Sequence, residues 1–178
     1  MRRRLLKNLI HAPVTEAVTL EALGERLQGL IGRTLGRSLA IREVDAGSCN
    51  GCELEIQALN NPLYDIERFG VRFVASPRHA DMLLVTGPVT RNMREALERT
   101  YAATPAPKWV IAAGDCAAGC GAFGPSYACL GSVSACLPVD LTISGCPPTP
   151  LQLLQGLVSL LAPQQDSGVA PTPTRMPG

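Results

Sequence analysis

Between residues 39 and 161 the chain alternates short apolar runs with longer segments of helical period. Residues 39–44, 71–75, 82–86, 109–113 and 139–143 read as strands, and 52–59, 91–102 and 150–161 as helices. In the helix expected over 91–102, Met93, Ala96, Leu97 and Tyr101 are placed on one face. A strand that continues through a helix into another strand of the same sheet needs a crossover, so the sheet is expected to be largely parallel and covered on both faces. That is a doubly wound α/β domain. Such a sheet takes its ligand in the loops beyond the carboxyl ends of its strands.

The expected layout is flavodoxin-like, a single domain over residues 39–161 with a segment on either side. In residues 1–38, Leu20, Leu23, Leu27, Leu30, Ile31 and Leu35 recur at steps of three and four, which predicts an amphipathic helix over 19–35. Gly24, Gly29, Gly32 and Gly36 weaken it as an autonomous helix, so it needs a surface to lean on. With the basic Arg2, Arg3, Arg4 and Lys7 it can dock a partner subunit or an anionic membrane, or it can pack on its own domain. Residues 162–178 hold Pro163, Pro171, Pro173 and Pro177 with no helical period, and a disordered tail is expected there. The arginine-rich start resembles an export signal, but Lys7, Asn8, His11 and Glu16 interrupt the apolar run that a signal needs. No stretch approaches the about 18 apolar residues of a spanning helix. A cytoplasmic protein with no transmembrane segment of its own is expected.

A net charge of +1 and an aromatic content of 4% argue against a nucleic-acid-binding surface. Seven cysteines, an odd number, do not read as a disulfide framework. Their positions matter more than their number. Cys49 and Cys52 follow the first expected strand, Cys116 and Cys120 follow the strand over 109–113, and Cys146 follows the strand over 139–143.

Cys49-Asn50-Gly51-Cys52 is a CxxC at a strand-to-helix turn, where Gly51 is expected to let the backbone curl and where helix-start amides favour negative charge. Three readings compete. A dithiol redox pair uses two cysteines and leaves five idle. Zinc on Cys49, Cys52, Cys116 and Cys120 leaves Cys146 unexplained. An iron–sulfur cluster uses four thiolates, often with one followed directly by proline, as in Cys146-Pro147. The run from Gly119 to Gly124 matches GxGxxG, but a dinucleotide site needs a helix to open inside it and Pro125 argues against one.

Cys49-Asn50-Gly51-Cys52-Glu53, Gly114-Asp115-Cys116 running into Gly121-Ala122-Phe123, and Gly145-Cys146-Pro147-Pro148 together resemble the small iron–sulfur subunit of membrane-bound energy-converting [NiFe] hydrogenases. Formate hydrogenlyase and hydrogenase-4 small subunits are of this kind, and they share an ancestor with the cluster-bearing small subunit of respiratory complex I. The resemblance spans about residues 39–161. It implies one [4Fe-4S] cluster on Cys49, Cys52, Cys116 and Cys146, with Cys120 as the competing ligand. It also implies a large hydrogenase-like or quinone-reductase-like partner, membrane-arm and ferredoxin-like subunits, and a peripheral place on the inner face of the cell membrane. Complex I homologues carry two adjacent cysteines in the first motif, whereas this chain has two residues between them, which favours the hydrogenase branch.

Gly51, Gly114 and Gly121 are expected to let the chain pass close to the cluster and offer amide donors to its sulfurs. Glu53 is either a plain helix-start acid or a proton relay or partner contact. Cys129 and Cys136 are expected to be buried small hydrophobes, and His11 and His79 to be surface or structural residues rather than ligands. Arg42, Arg72, Arg78 and Arg91 fall near strand ends or loops, facing a partner, tuning the cluster or forming a solvated edge. A complex-I-type quinone reductase subunit and a zinc- or dithiol-containing binding module are the alternatives.

Overall fold

The structure is a computed structural model that describes residues 17–162. Its helices are α1 (Ala17–Leu35), α2 (Gly51–Ala58), α3 (Arg91–Ala103), α4 (Asp115–Ala118) and α5 (Pro150–Leu161). Its strands are β1 (Leu39–Asp45), β2 (Val71–Phe73), β3 (Met82–Thr86), β4 (Val89–Thr90), β5 (Trp109–Ala113), β6 (Cys129–Gly131) and β7 (Leu141–Ile143). Five of these form one parallel sheet in the order β2-β1-β3-β5-β7, with Val44 paired to Val85, Leu84 to Ile111 and Ala112 to Thr142. The sheet is doubly wound, with the strand order of a flavodoxin-like domain.

Side chains alternate across the sheet. Leu39, Ile41, Met82, Leu84, Ile111 and Ile143 join one core with α1, α2 and α5. Leu83, Val85, Val110 and Ala112 join the other, with Leu97 of α3. All five residues of β3 are buried, as expected of a central strand covered on both faces. In α3, Leu97 is buried and Tyr101 packs on the same cluster, but Ala96 is exposed. Residues 97 and 101 stand one turn apart, whereas 96 is rotated about 100° away from 97.

The apolar face of α1 is covered by the chain's own domain, with Leu20, Leu27, Leu30 and Ile31 in one core with Leu153, Leu154, Leu157 and Val158 of α5. Gly24 marks the closest approach, because a Cβ there would collide with the ring of Phe69. The basic residues Arg2 to Lys7 and the proline-rich end from Pro163 lie outside the described residues. Helix α5 starts at a capping box: Thr149 Oγ1 accepts from Gln152 N and Gln152 Oε1 accepts from Thr149 N, with Pro150 in the first turn. Among the described residues no helix is long and apolar enough to cross a membrane.

The last sheet strand begins two residues later than its apolar run, since Asp140 pairs with Val110 partly through its side chain, Oδ2 accepting from Val110 N at 2.7 Å. The second strand stops at Phe73 instead of residue 75. β4 and β6 pair antiparallel beside the main sheet. At two and three residues they are too short to carry a readable alternation.

Leu154 has no exposed surface and Leu54 is 58% exposed. Leu154→Ala is expected to lower unfolding stability by about 2–5 kcal/mol, and Leu54→Ala by less than about 0.5, as read from urea unfolding midpoints and slopes.

Candidate metal centre

Three loops at the carboxyl end of the sheet carry the thiols. After β1, Asp45 Oδ1 accepts from the amides of Gly47 and Ser48, both at 2.7 Å, which folds the chain back on itself. Ser48 Oγ accepts from Asn50 N at 3.1 Å and donates to Glu53 Oε1 at 2.6 Å. The left-handed residue of this turn is Asn50, with φ 71°, and not Gly51. A Cβ at 51 would stand in ordinary contact, 3.5 Å from Cys49 Sγ, so sterics do not require that glycine. Helix α2 then begins, with Cys52 and Glu53 buried in its first turn and Cys49 exposed before it.

The second loop, after β5, is fastened to the third, after β7. Gly114 N donates to Ile143 O at 2.8 Å, Asp115 N to Gly145 O at 2.9 Å, and Gly145 N returns a bond to Asp115 Oδ1 at 2.8 Å. Gly114 has φ +93°, and a Cβ there would stand 2.7 Å from Cys52 Sγ. Gly121 has φ +48°, and its Cβ would stand 2.5 Å from Cys116 Sγ. At both places the backbone turns left-handed directly against a thiol, which only glycine does without strain.

Cys49, Cys52, Cys116 and Cys146 line one cavity of about 90 Å³, together with Ser48, Gly51, Gly87, Asp115, Gly145 and Pro147. Cys120, which precedes the 3-10 turn Gly121–Phe123, is not on its wall. Cys129, in β6, and Cys136, against the second core, are half-buried instead of fully buried. All seven cysteines are free thiols. Helix α4 ends at Ala118, ahead of the glycine run, so no α-helix opens inside the GxGxxG match, only the 3-10 turn Gly121–Phe123. His79 stands in the 3-10 turn Pro77–His79 near the amino ends of the strands, and His11 is outside the described residues.

The four thiols feel one another electrically. Burial pushes the Cys52 thiol up to about 12, and Glu53, Cys116, Cys49 and Cys146 push in the same direction. Burial also raises Cys116, the backbone amide of Ala122 opposes this by donating to its sulfur, and Cys146 and Cys49 raise it further. Cys52 and Cys116 ionise together only if a cation compensates their charge. Four soft sulfur donors around one cavity fit an iron–sulfur cluster. Among the described residues no three His, Cys, Asp or Glu side chains are gathered in a way that could hold a metal ion. The thiols surround a volume instead.

Glu53 lies behind the thiols. Its Oε1 accepts from Ser48 Oγ and from Thr86 Oγ1, while Oε2 is buried without a partner among the described residues. Half-buried Glu43 is pushed up to about 6, first by burial and then by the charge of Glu53. The sequence does not single out Glu43 or Thr86, and Ser48 and Asp115 stand in or beside the cysteine motifs without a role that the sequence assigns. For Glu43 there was a signal: it shares the parity of Leu39 and Ile41 in β1, which places a carboxyl on an inward face.

Residues 49–160 match the family described as "NADH ubiquinone oxidoreductase, 20 Kd subunit". The chain is 49% identical over 127 residues to the probable membrane-bound hydrogenase subunit mbhJ of Pyrococcus furiosus, a match covering 71% of this chain and 76% of that one. It is 46% identical over 129 residues to formate hydrogenlyase subunit 7 of Escherichia coli, covering 72% of this chain and about half, 51%, of that longer protein. It is 45% identical over 109 residues to a subunit of the F(420)H(2) dehydrogenase of Methanosarcina mazei, covering 61% of this chain and 59% of that one. Among solved structures it superposes on a chain of the membrane-bound sulfane sulfur reductase, an archaeal respiratory membrane complex, with TM-score 0.64 and 34% identity over 74% of this chain and 73% of that one.

A carboxyl that titrates near 4.5 in the ordinary way and near 6 in the fold binds more protons folded than unfolded between those values. Its contribution to stability is full below about 4.5 and lost as pH rises through about 6. Glu43→Gln is therefore expected to flatten the fall in stability over that window and to gain about 1 kcal/mol at neutral pH, allowing for solvent screening. Urea unfolding of both chains from about pH 4 to 8 measures the difference.

Proposed function

The chain belongs to the NADH ubiquinone oxidoreductase 20 Kd subunit family, and from that premise we propose that it is the electron-transfer subunit of a membrane-associated hydrogenase or hydrogenase-like oxidoreductase complex, holding one [4Fe-4S] cluster. The observation that carries this reading is the single cavity walled by Cys49, Cys52, Cys116 and Cys146 from three loops. Cys146 stands on that wall and Cys120 does not, which supports the ligand set that includes Cys146.

The chain's own residues then have definite tasks. The four thiolates hold the cluster, which when bound supplies one-electron exchange with a neighbouring centre. Gly114 and Gly121 let backbone run against Cys52 and Cys116, and the Ala122 amide donates to the Cys116 sulfur, which eases acceptance of an electron. Gly51 lines the cavity next to Cys49. Asp115 keeps the loops of Cys116 and Cys146 in register. Glu53, tied to Ser48 and Thr86 through Oε1, offers Oε2 to a proton or to a partner group. Cys49 and Cys146 are exposed, so the outer side of the cavity is open to the large subunit that receives or delivers the electron.

The partners proposed are a large hydrogenase-like or quinone-reductase-like subunit with membrane-arm and ferredoxin-like subunits, and the place is peripheral on the inner face of the cell membrane. Relatives named as parts of a membrane-bound hydrogenase and of a respiratory membrane complex support this. A second reading, a complex-I-type quinone reductase subunit, is favoured by the family description and by the F(420)H(2) dehydrogenase relative. Two CxxC motifs for nickel in the neighbouring large subunit would select hydrogenase over quinone reductase.

Anaerobic purification is expected to yield about four iron and four acid-labile sulfide per chain and a paramagnetic signal on reduction. Cys146→Ser is expected to lose the cluster and Cys129→Ser to keep it. One zinc per chain without sulfide would overturn the proposal, and equal loss from both variants would overturn the ligand set.

A further inference from the structure

At the other end of the sheet from the thiols, a cavity of about 490 Å³ opens beside β2, lined by Arg37, Arg72, Arg78, His79, Asp81 and Pro105, with Val74 and Ala80 as apolar wall. Its one carboxylate is already engaged. Asp81 takes both terminal nitrogens of Arg37, at 2.9 and 2.5 Å, and the amide of Ala40 at 3.0 Å. Arg72 and Arg78 are exposed, and neither takes an ion pair or side-chain hydrogen bond among the described residues. Three guanidinium groups face one carboxylate, so the arginines of the lining carry two uncompensated positive charges. β2 is the edge of the sheet, so among the described residues no further strand closes the groove on that side.

We propose that this groove receives an acidic segment of a partner subunit, whose Asp or Glu side chains pair with Arg72 and Arg78. Guanidinium forks match carboxylates two bonds at a time. Being exposed, they hold a small free anion weakly, because water and salt screen the pair. A protein segment that covers the groove removes that water and adds contact with Val74, Ala80 and Pro105, so the same charges gain strength and orient the partner. The volume also far exceeds what one small inorganic ion fills. The proposal rests on reading the chain as a subunit of a complex, but it does not depend on the cluster.

The test uses the assembled complex purified from membranes. With p-benzoylphenylalanine in place of Arg78, irradiation is expected to cross-link the chain to a partner-subunit segment containing at least two Asp or Glu residues. The double variants R72E/R78E and R72A/R78A are expected to weaken retention of the chain by about tenfold or more for the reversal, and by less for the alanines, at about 0.15 M salt, with iron per chain unchanged. A cross-link to lipid or to a neutral or basic segment, no cross-link, or unchanged retention of both variants would overturn the docking. Iron is measured on every sample. A chain without iron that still cross-links to an acidic segment supports the docking and removes the cluster.

Discussion

Five strands running in one direction bring every strand-to-helix loop to the same end of the molecule, and the candidate centre depends on that polarity. Cys49 and Cys146 are almost a hundred residues apart in sequence. They share one cavity wall because β1, β5 and β7 each release their loop at the carboxyl edge. Parallel pairing is possible here because both faces of the sheet are buried, by α1, α2 and α5 on one side and by α3 on the other. Asp115 completes the arrangement by binding the loop of Cys116 to the loop of Cys146 through backbone and side chain together.

Within that frame Cys52 and Cys116 are held where they are electrically costly as anions. Cys52 sits against Glu53 and three other sulfurs, in a setting that keeps it protonated until a cation arrives. The glycines belong to the same logic. Gly114 and Gly121 occupy two places where a side chain would collide with a sulfur, so the backbone packs directly against Cys52 and Cys116.

Much of this was legible in the sequence. The central strand over 82–86 and the one over 109–113 are buried on both faces and read directly as apolar runs, and α5 announces itself by a Thr-Pro start and a leucine period. What was hidden depends on contacts between segments. β4 and β6 exist because two short pieces meet, and Asn50 takes the left-handed turn assigned to Gly51 because Ser48 and Glu53 fix the loop around it. The half-buried state of Glu43 follows from α2 and its Glu53 lying over the same face. No local pattern separates Cys116 from Cys120 as a wall of the cavity. The distinction comes from the single turn of α4, which buries Cys116 and leaves Cys120 beyond its end.

A net charge of +1 conceals an uneven distribution. Glu43, Asp45, Glu53 and Asp115 gather at the carboxyl edge of the sheet, while Arg37, Arg72 and Arg78 gather at its amino edge. Among the described residues the two ends of the sheet therefore differ in charge along the strand direction, so that in the field of a charged assembly the thiol end and the arginine end would feel different pulls before any contact is made.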